Sequence, residues 1–211
     1  MRVAVGLSEG FPRRPGPCYR SGVSTARRRA TYDDLLKVPD TKVAEIIEGE
    51  LVVSPRPASP HAFASSVLGA DLIGSFHGPG RPGYPGGWWF LDEPELHFGD
   101  DVLVSDMAAW RCERMPVVPN VAAFSDAPDW ACETLSPSTV RHDRGGKMRI
   151  YAREGVRHLW LVDPPRHSIE VYRLAGGAWE EVGVHTGVTA ARLEPFADVE
   201  LRPERWWLPA S

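Results

Sequence analysis

A glutamate stands in the middle of the most apolar block of this chain. The stretch Pro128–Pro164, PDWACETLSPSTVRHDRGGKMRIYAREGVRHLWLVDP, begins with Trp130, Ala131 and Cys132, then places Glu133 before Leu135. It ends on a second apolar run, VRHLWLVDP, and between the two lies DRGGKMRIYARE, which reads as a helix that Gly155 is placed to end. Strand, helix and strand in that order call for a sheet with a helix laid over it. A carboxylate inside such a covered strand is costly unless it is paired or bound to a cation. Glu133 therefore constrains both the fold and what the fold is for.

The flanking sequence extends the pattern. Thr31 is placed to cap a short helix, TYDDLLKV, with Asp33 and Asp34 in its first turn. In KVAEIIEGELVVSP, two apolar runs flank Glu48-Gly49, a hairpin turn. SPHAFASSVLGADLIGSF repeats Phe63, Val67, Leu68, Leu72 and Phe76 at helical spacing, with Ser59 as a cap before Pro60. After the Gly- and Pro-rich loop HGPGRPGYPGG, the segments WWFLDEPELHF and DVLVSDMAAWR each read as one strand. SIEVYRLAGGAWEEVGVH alternates about Gly176-Gly177 as a closing hairpin. The expected class is an α/β or α+β sheet with helices on its faces, without an internal repeat.

At 211 residues the chain is long enough to bury its own core as one domain, expected over residues 31–211. Residues 1–30, rich in Arg, Pro, Gly and Ser, read as a disordered extension, as the product of an upstream start, or as a basic arm for nucleic acid. A formal net charge of −4 excludes global attraction to nucleic acid, so contact with it has to use a local basic patch. Three scattered cysteines, Cys18, Cys112 and Cys132, form neither a zinc pattern nor a disulfide framework, and fit a reducing cytoplasm. No run approaches membrane-span length and no signal-peptide core is present.

A second acid repeats the anomaly of Glu133. Asp106, in VLVSDMAAW, alternates onto one face with Val104, Ala108 and Trp110, while Glu133 shares a face with Ala131 and Leu135. Two acids on separate strands that meet on one side of a sheet suit Mg²⁺ or Mn²⁺, which favour carboxylate oxygens and keep several waters.

The block from ETLSPST to VDP, together with AEIIEGEL and the helix that follows it, resembles the Uma-two-type restriction-endonuclease family, a bacterial branch of the PD-(D/E)XK nuclease fold. The resemblance covers roughly Thr31 to Leu174. It implies a central mixed sheet flanked by helices with the site at one edge, here with added N-terminal and C-terminal β-hairpins. It implies a Mg²⁺- or Mn²⁺-dependent DNA endonuclease; the alternative is a weakened nuclease-fold module that binds nucleic acid or a protein. Carried over by residue, Asp106 is the first-motif aspartate, Glu133 the second-motif acid and Glu45 the N-terminal glutamate. The metal would be held by Asp106, Glu133 and the Thr134 backbone carbonyl. Ser105 replaces the usual proline before the aspartate, Glu48 stands where aspartate is common, and Leu135 stands where the plain motif has lysine. The family carries its lysine in the following helix, which makes it Lys147 here. DNA is the implied partner and a homodimer a further one.

If DRGGKMRIYARE is a regular helix, Arg144, Lys147 and Tyr151 share one face toward the metal edge, and Arg149 and Arg153 form another pair suited to phosphates. Arg144, Arg149 and Tyr151 are thus candidate substrate contacts, and His61, which opens the second helix where the family it resembles often has histidine, is a further one. Asp143 reads as an acid serving the helix start. Ser136, Ser138 and Thr139 lack the frame of a nucleophile turn and read as caps.

Overall fold

The computed structural model describes residues 28–209. The expected extension over residues 1–30 lies outside them, save for its last three residues, where the Ala30 amide donates to the Gly49 carbonyl at 2.8 Å. A short helix α1 (Tyr32–Leu35) leads into β1 (Lys42–Ile47) and β2 (Glu50–Pro55), followed by the long helix α2 (Ser59–Phe76). Then come β3 (Trp88–Asp92), β4 (Glu95–Phe98), β5 (Asp101–Val104), β6 (Met107–Arg111), β7 (Ala123–Phe124) and β8 (Trp130–Thr134). A composite helix follows: α3 (Val140–His142), a π-helical turn (Asp143–Lys147) and α4 (Met148–Glu154). The strands β9 (His158–Asp163), β10 (Ser168–Ala175) and β11 (Ala178–Thr186) complete the sheets.

The strands form two mixed sheets, ordered β2-β1-β5-β4-β7 and β11-β10-β9-β8-β6-β3. Two runs that read as single strands in the sequence are each broken and shared between the sheets. WWFLDEPELHF bends at Glu93-Pro94, and DVLVSDMAAWR bends at Ser105-Asp106. Proline has no ladder donor, which stops β3 from running on into β4. Glu93 lies in the left-handed region at φ 45°, and its amide donates to the Asp106 carbonyl at 3.2 Å. The corner places Asp106 where one sheet gives way to the other.

β8 and β9 are parallel, joined by the composite helix, whereas β6 pairs antiparallel with β8. Alternation sorts the side chains into two layers. Trp130, Cys132, Trp160 and Val162 pack under Leu68, Leu72 and Phe76 of α2. Ala131, Leu135, Leu159 and Leu161 pack under Ile150 and Tyr151 of α4. Gly69 lets α2 sit close to the sheet, since a Cβ there would lie 2.5 Å from Met107 Cε.

Candidate active site

Each of these acids has a structural reason for its position, although Asp106 lies in the bend between β5 and β6 and not within a strand as its alternation suggested. Glu133 sits on the α4 side of β8 and is only 2% exposed. Its Oε2 accepts from Lys147 Nζ at 2.8 Å, and its Oε1 accepts from the Tyr151 hydroxyl. Glu45, on β1, reaches across to the neighbouring sheet corner: its Oε1 accepts the Val104 amide at 3.0 Å and lies 3.0 Å from Lys147 Nζ. Asp106 Oδ2 accepts the Thr134 amide at 2.6 Å and lies 3.1 Å from His61 Nε2. Its Oδ1 has no partner among the described residues. Ser105, which stands in place of a proline, donates its hydroxyl to the Met107 and Cys132 carbonyls and so stitches the corner to β8.

Lys147 is the centre of this arrangement. Its three N–H groups meet the Val104 carbonyl at 2.8 Å, Glu133 and Glu45, and Asp143 Oδ1 lies 3.8 Å away. The result is a cage of oxygens around one positive charge. The π-helical turn makes it possible, because an added residue per turn swings Asp143 and Lys147 inward together. Gly146 brings that turn against β1, where a Cβ would lie 2.3 Å from Ile47 Cγ2.

One ammonium cannot offset three buried carboxylates. Burial pushes Glu133 well above the usual carboxylate range, with Lys147 opposing the shift. Burial also raises Asp143, to about 6, again against the pull of Lys147. Burial pulls the Lys147 ammonium down, but Glu133 and Glu45 together hold it well above its ordinary value. The shifts favour the proton on Lys147 and oppose the ionisation of Glu133 and Asp143. Burial lowers His61, but its bond to Asp106 and the charges of Asp106, Asp143 and Glu93 together outweigh it, for a net upward shift.

Glu45, Asp106, Glu133, Asp143, Lys147 and His61 all line one cleft of about 210 Å³, rimmed by Ser54–Ala58 and Ser136–Thr139. The other candidates sit elsewhere. Arg144 leaves the face it was expected to share with Lys147 and Tyr151 and pairs with Glu170 on β10 at 2.7 Å; the π-helical turn breaks the regular register. Arg149 pairs with Glu48 at 2.7 Å, and Arg153 with Asp101 at 3.0 Å. Tyr151 is fully buried and reaches the site only through Glu133. Thr134 reaches Asp106 through its amide, and its hydroxyl shares a hydrogen bond with Ser65 at 2.9 Å. Asp143 was missed as a site residue, although its i, i+4 spacing from Lys147 was a usable signal. Among the described residues, no group of three or more His, Cys, Asp or Glu side chains is so placed that it could hold a metal ion.

The family model Uma2, described as "Putative restriction endonuclease", matches residues 29–204. The chain belongs to this family. The Uma2 match spans every element that contributes to the cleft, from β1 to the composite helix. Among solved structures, a putative nuclease belonging to DUF820 from Anabaena variabilis ATCC 29413 is similar, with a TM-score of 0.64 and 25% identity over 84% of this chain and 97% of that one. The comparison with curated proteins finds no match. Uma2 membership and the nuclease-like neighbour support a nuclease-like function, on a mixed α/β fold. Among the described residues of this Uma2 chain, no helix is long and apolar enough to cross a membrane.

Proposed function

We propose that the protein is a metal-dependent endonuclease that hydrolyses DNA phosphodiester bonds in the cleft around Lys147. The observation that carries this reading is the meeting of Asp106, Glu133, Glu45 and Lys147, from four separate elements, in one cleft. Carboxylate oxygens are the donors that Mg²⁺ and Mn²⁺ take, so the chemistry of the set fits such an ion. The oxygen cage around the Lys147 ammonium supports the fit, since it already accommodates a cation. Asp106, through Oδ1, and Glu133, through the oxygen that Lys147 now holds, would be its protein ligands, with the Thr134 carbonyl as a third. A divalent ion bound there supplies Lewis acidity toward the phosphodiester and toward water.

The chain's own groups have separable tasks. The Thr134 amide and His61 fix Asp106 Oδ2 and leave Oδ1 directed by that anchoring. Tyr151 holds Glu133 Oε1, so that the carboxylate keeps one orientation whatever its second oxygen binds. Lys147, drawn off Glu133, offers an N–H to the negative charge that develops on the phosphate oxygens. Glu45 retains the Lys147 ammonium at the edge of the cleft during that change. Two copies of the chain would be needed to cut both strands of a duplex at one place.

A second reading draws on the same cage. With Lys147 filling its centre and no three-donor cluster among the described residues, a nuclease-fold module that binds nucleic acid without cutting it fits as well. Nicking of supercoiled plasmid in Mg²⁺ or Mn²⁺ separates the two. The endonuclease reading expects nicking by wild type that is lost in Asp106→Asn and Glu133→Gln; equal nicking by all three preparations refutes it.

A further inference from the structure

We propose that Arg56 seats a phosphate of the nucleic-acid strand at the mouth of the cleft. This rests on the nuclease reading and adds to it the residue that draws a polyanion to an acidic site. Five carboxylates line the cleft, Glu45, Glu93, Asp106, Glu133 and Asp143. A phosphodiester approaching them is repelled unless a cation faces it first. The lining side chains able to carry positive charge are Arg56, His61 and Lys147.

Two of these three are committed. Lys147 is 3% exposed and spends its three donors on Val104, Glu133 and Glu45. His61 turns Nε2 to Asp106 and is itself buried. Arg144, Arg149 and Arg153 of the composite helix are paired outside the cleft, with Glu170, Glu48 and Asp101, and Arg141 of the same helix does not line the cleft. Arg56 differs from all of them. Its side chain is 54% exposed, one end of the guanidinium donates to the Asp40 carbonyl at 2.9 Å, and the other lies 3.6 Å from Glu93.

That second contact is long for a hydrogen bond, and Nε has no partner among the described residues. A guanidinium has five N–H donors in a fixed fork that matches phosphate oxygens. The backbone favours the same role. Arg56 stands between Pro55 and Pro57, which fix their own φ and press Arg56 toward extended geometry. The cation is therefore presented by a stiff segment, and the Asp40 carbonyl holds one edge of it. Exchange of Glu93 for phosphate needs only a side-chain adjustment.

The test is binding of a fluorescein-labelled DNA duplex, and of its single strand, to the full chain by anisotropy over a range of KCl. Ca²⁺ is included as a hard cation that fills carboxylate sites. One phosphate contact contributes a slope of about −0.9 in log K against log salt on duplex. Arg56→Ala should make the slope shallower by about one. It should weaken binding about tenfold, the scale of one charge-assisted contact. Arg56→Lys should keep the slope, and Arg192→Ala, the same charge change at an exposed arginine outside the cleft, should match wild type. Should Arg56→Ala melt early, Arg56→Gln, which retains a donor for the Asp40 carbonyl, carries the comparison. Arg56→Ala with the slope and affinity of wild type overturns the proposal alone, as does Arg192→Ala behaving like Arg56→Ala. Wild type that binds neither probe overturns it together with the nuclease reading.

Discussion

Replacing Lys147 by Met removes the one cation of the cage and keeps most of the side-chain volume. Glu133 and Glu45 then lose their partner while remaining 2% and 5% exposed, and the Val104 carbonyl loses its donor. Breaking a buried pair in this way costs about 3–5 kcal/mol, because the remaining charge is left uncompensated. For a chain of this size that is a fall of about 10 °C in Tm, at about 2–4 °C per kcal/mol. The cost should depend on pH. Without the ammonium the carboxyls of Glu133 and Asp143 ionise with still more difficulty, so they stay protonated in acid and the loss shrinks. Urea unfolding in EDTA at about pH 5 and about pH 8 should therefore show the larger destabilisation at the higher pH. Mn²⁺ should restore more stability to the variant than to wild type, since a ligand that binds only the folded state stabilises it by mass action. A loss below about 1 kcal/mol, the scale of an exposed ion pair, would refute the cage. So would a loss that is the same at both pH values.

Three further outcomes follow from the same geometry. Asp143 has a folded pKa of about 6 against an ordinary 3.8, so its ionisation costs stability as pH rises through that window. Relative to wild type in EDTA, Asp143→Asn should gain about 3 kcal/mol between about pH 3.5 and about pH 7, at about 1.4 kcal/mol per pKa unit, as read by urea unfolding at each pH. Tyr151→Phe leaves Glu133 Oε1 buried without its donor and should cost about 1–3 kcal/mol, measured by the shift of the urea midpoint. Gly146→Ala drives a methyl into Ile47 and should cost about 1–3 kcal/mol by the same assay, while Gly145→Ala, whose Cβ meets only Arg149 Nη1 at 4.0 Å, should cost less.

Much of the site was legible because burial of charge is costly enough to leave a mark in sequence. Glu133 and Asp106 stood out as acids in apolar runs, and the structure brings both to one cleft with Glu45 and Lys147. Alternation in WACETL also put Glu133 on one face of β8 with Ala131 and Leu135, the face that packs under α4. What periodicity could not supply was the break in it. Nothing in VLVSDMAAW marks the sheet change at Ser105-Asp106, because its stabilising contacts are the Ser105 hydroxyl on Cys132 and the Thr134 amide on Asp106, both distant in sequence. The π-helical turn was hidden for the same reason. A regular helix puts Arg144 beside Lys147, whereas one added residue in the turn sends Arg144 to Glu170 and brings Asp143 inward. Ser59 shows the ordinary slack at helix ends, since the capping position is Ala58.

The central claim is that the carboxylates of this cleft hold the cation on which cleavage depends. Its most direct test is calorimetric titration of Mn²⁺ into wild type, Asp106→Asn and Glu133→Gln, each shown to be folded. Saturable binding by wild type that is lost or strongly weakened in both variants is the expected result. Equal binding in all three, or none in wild type, would contradict it.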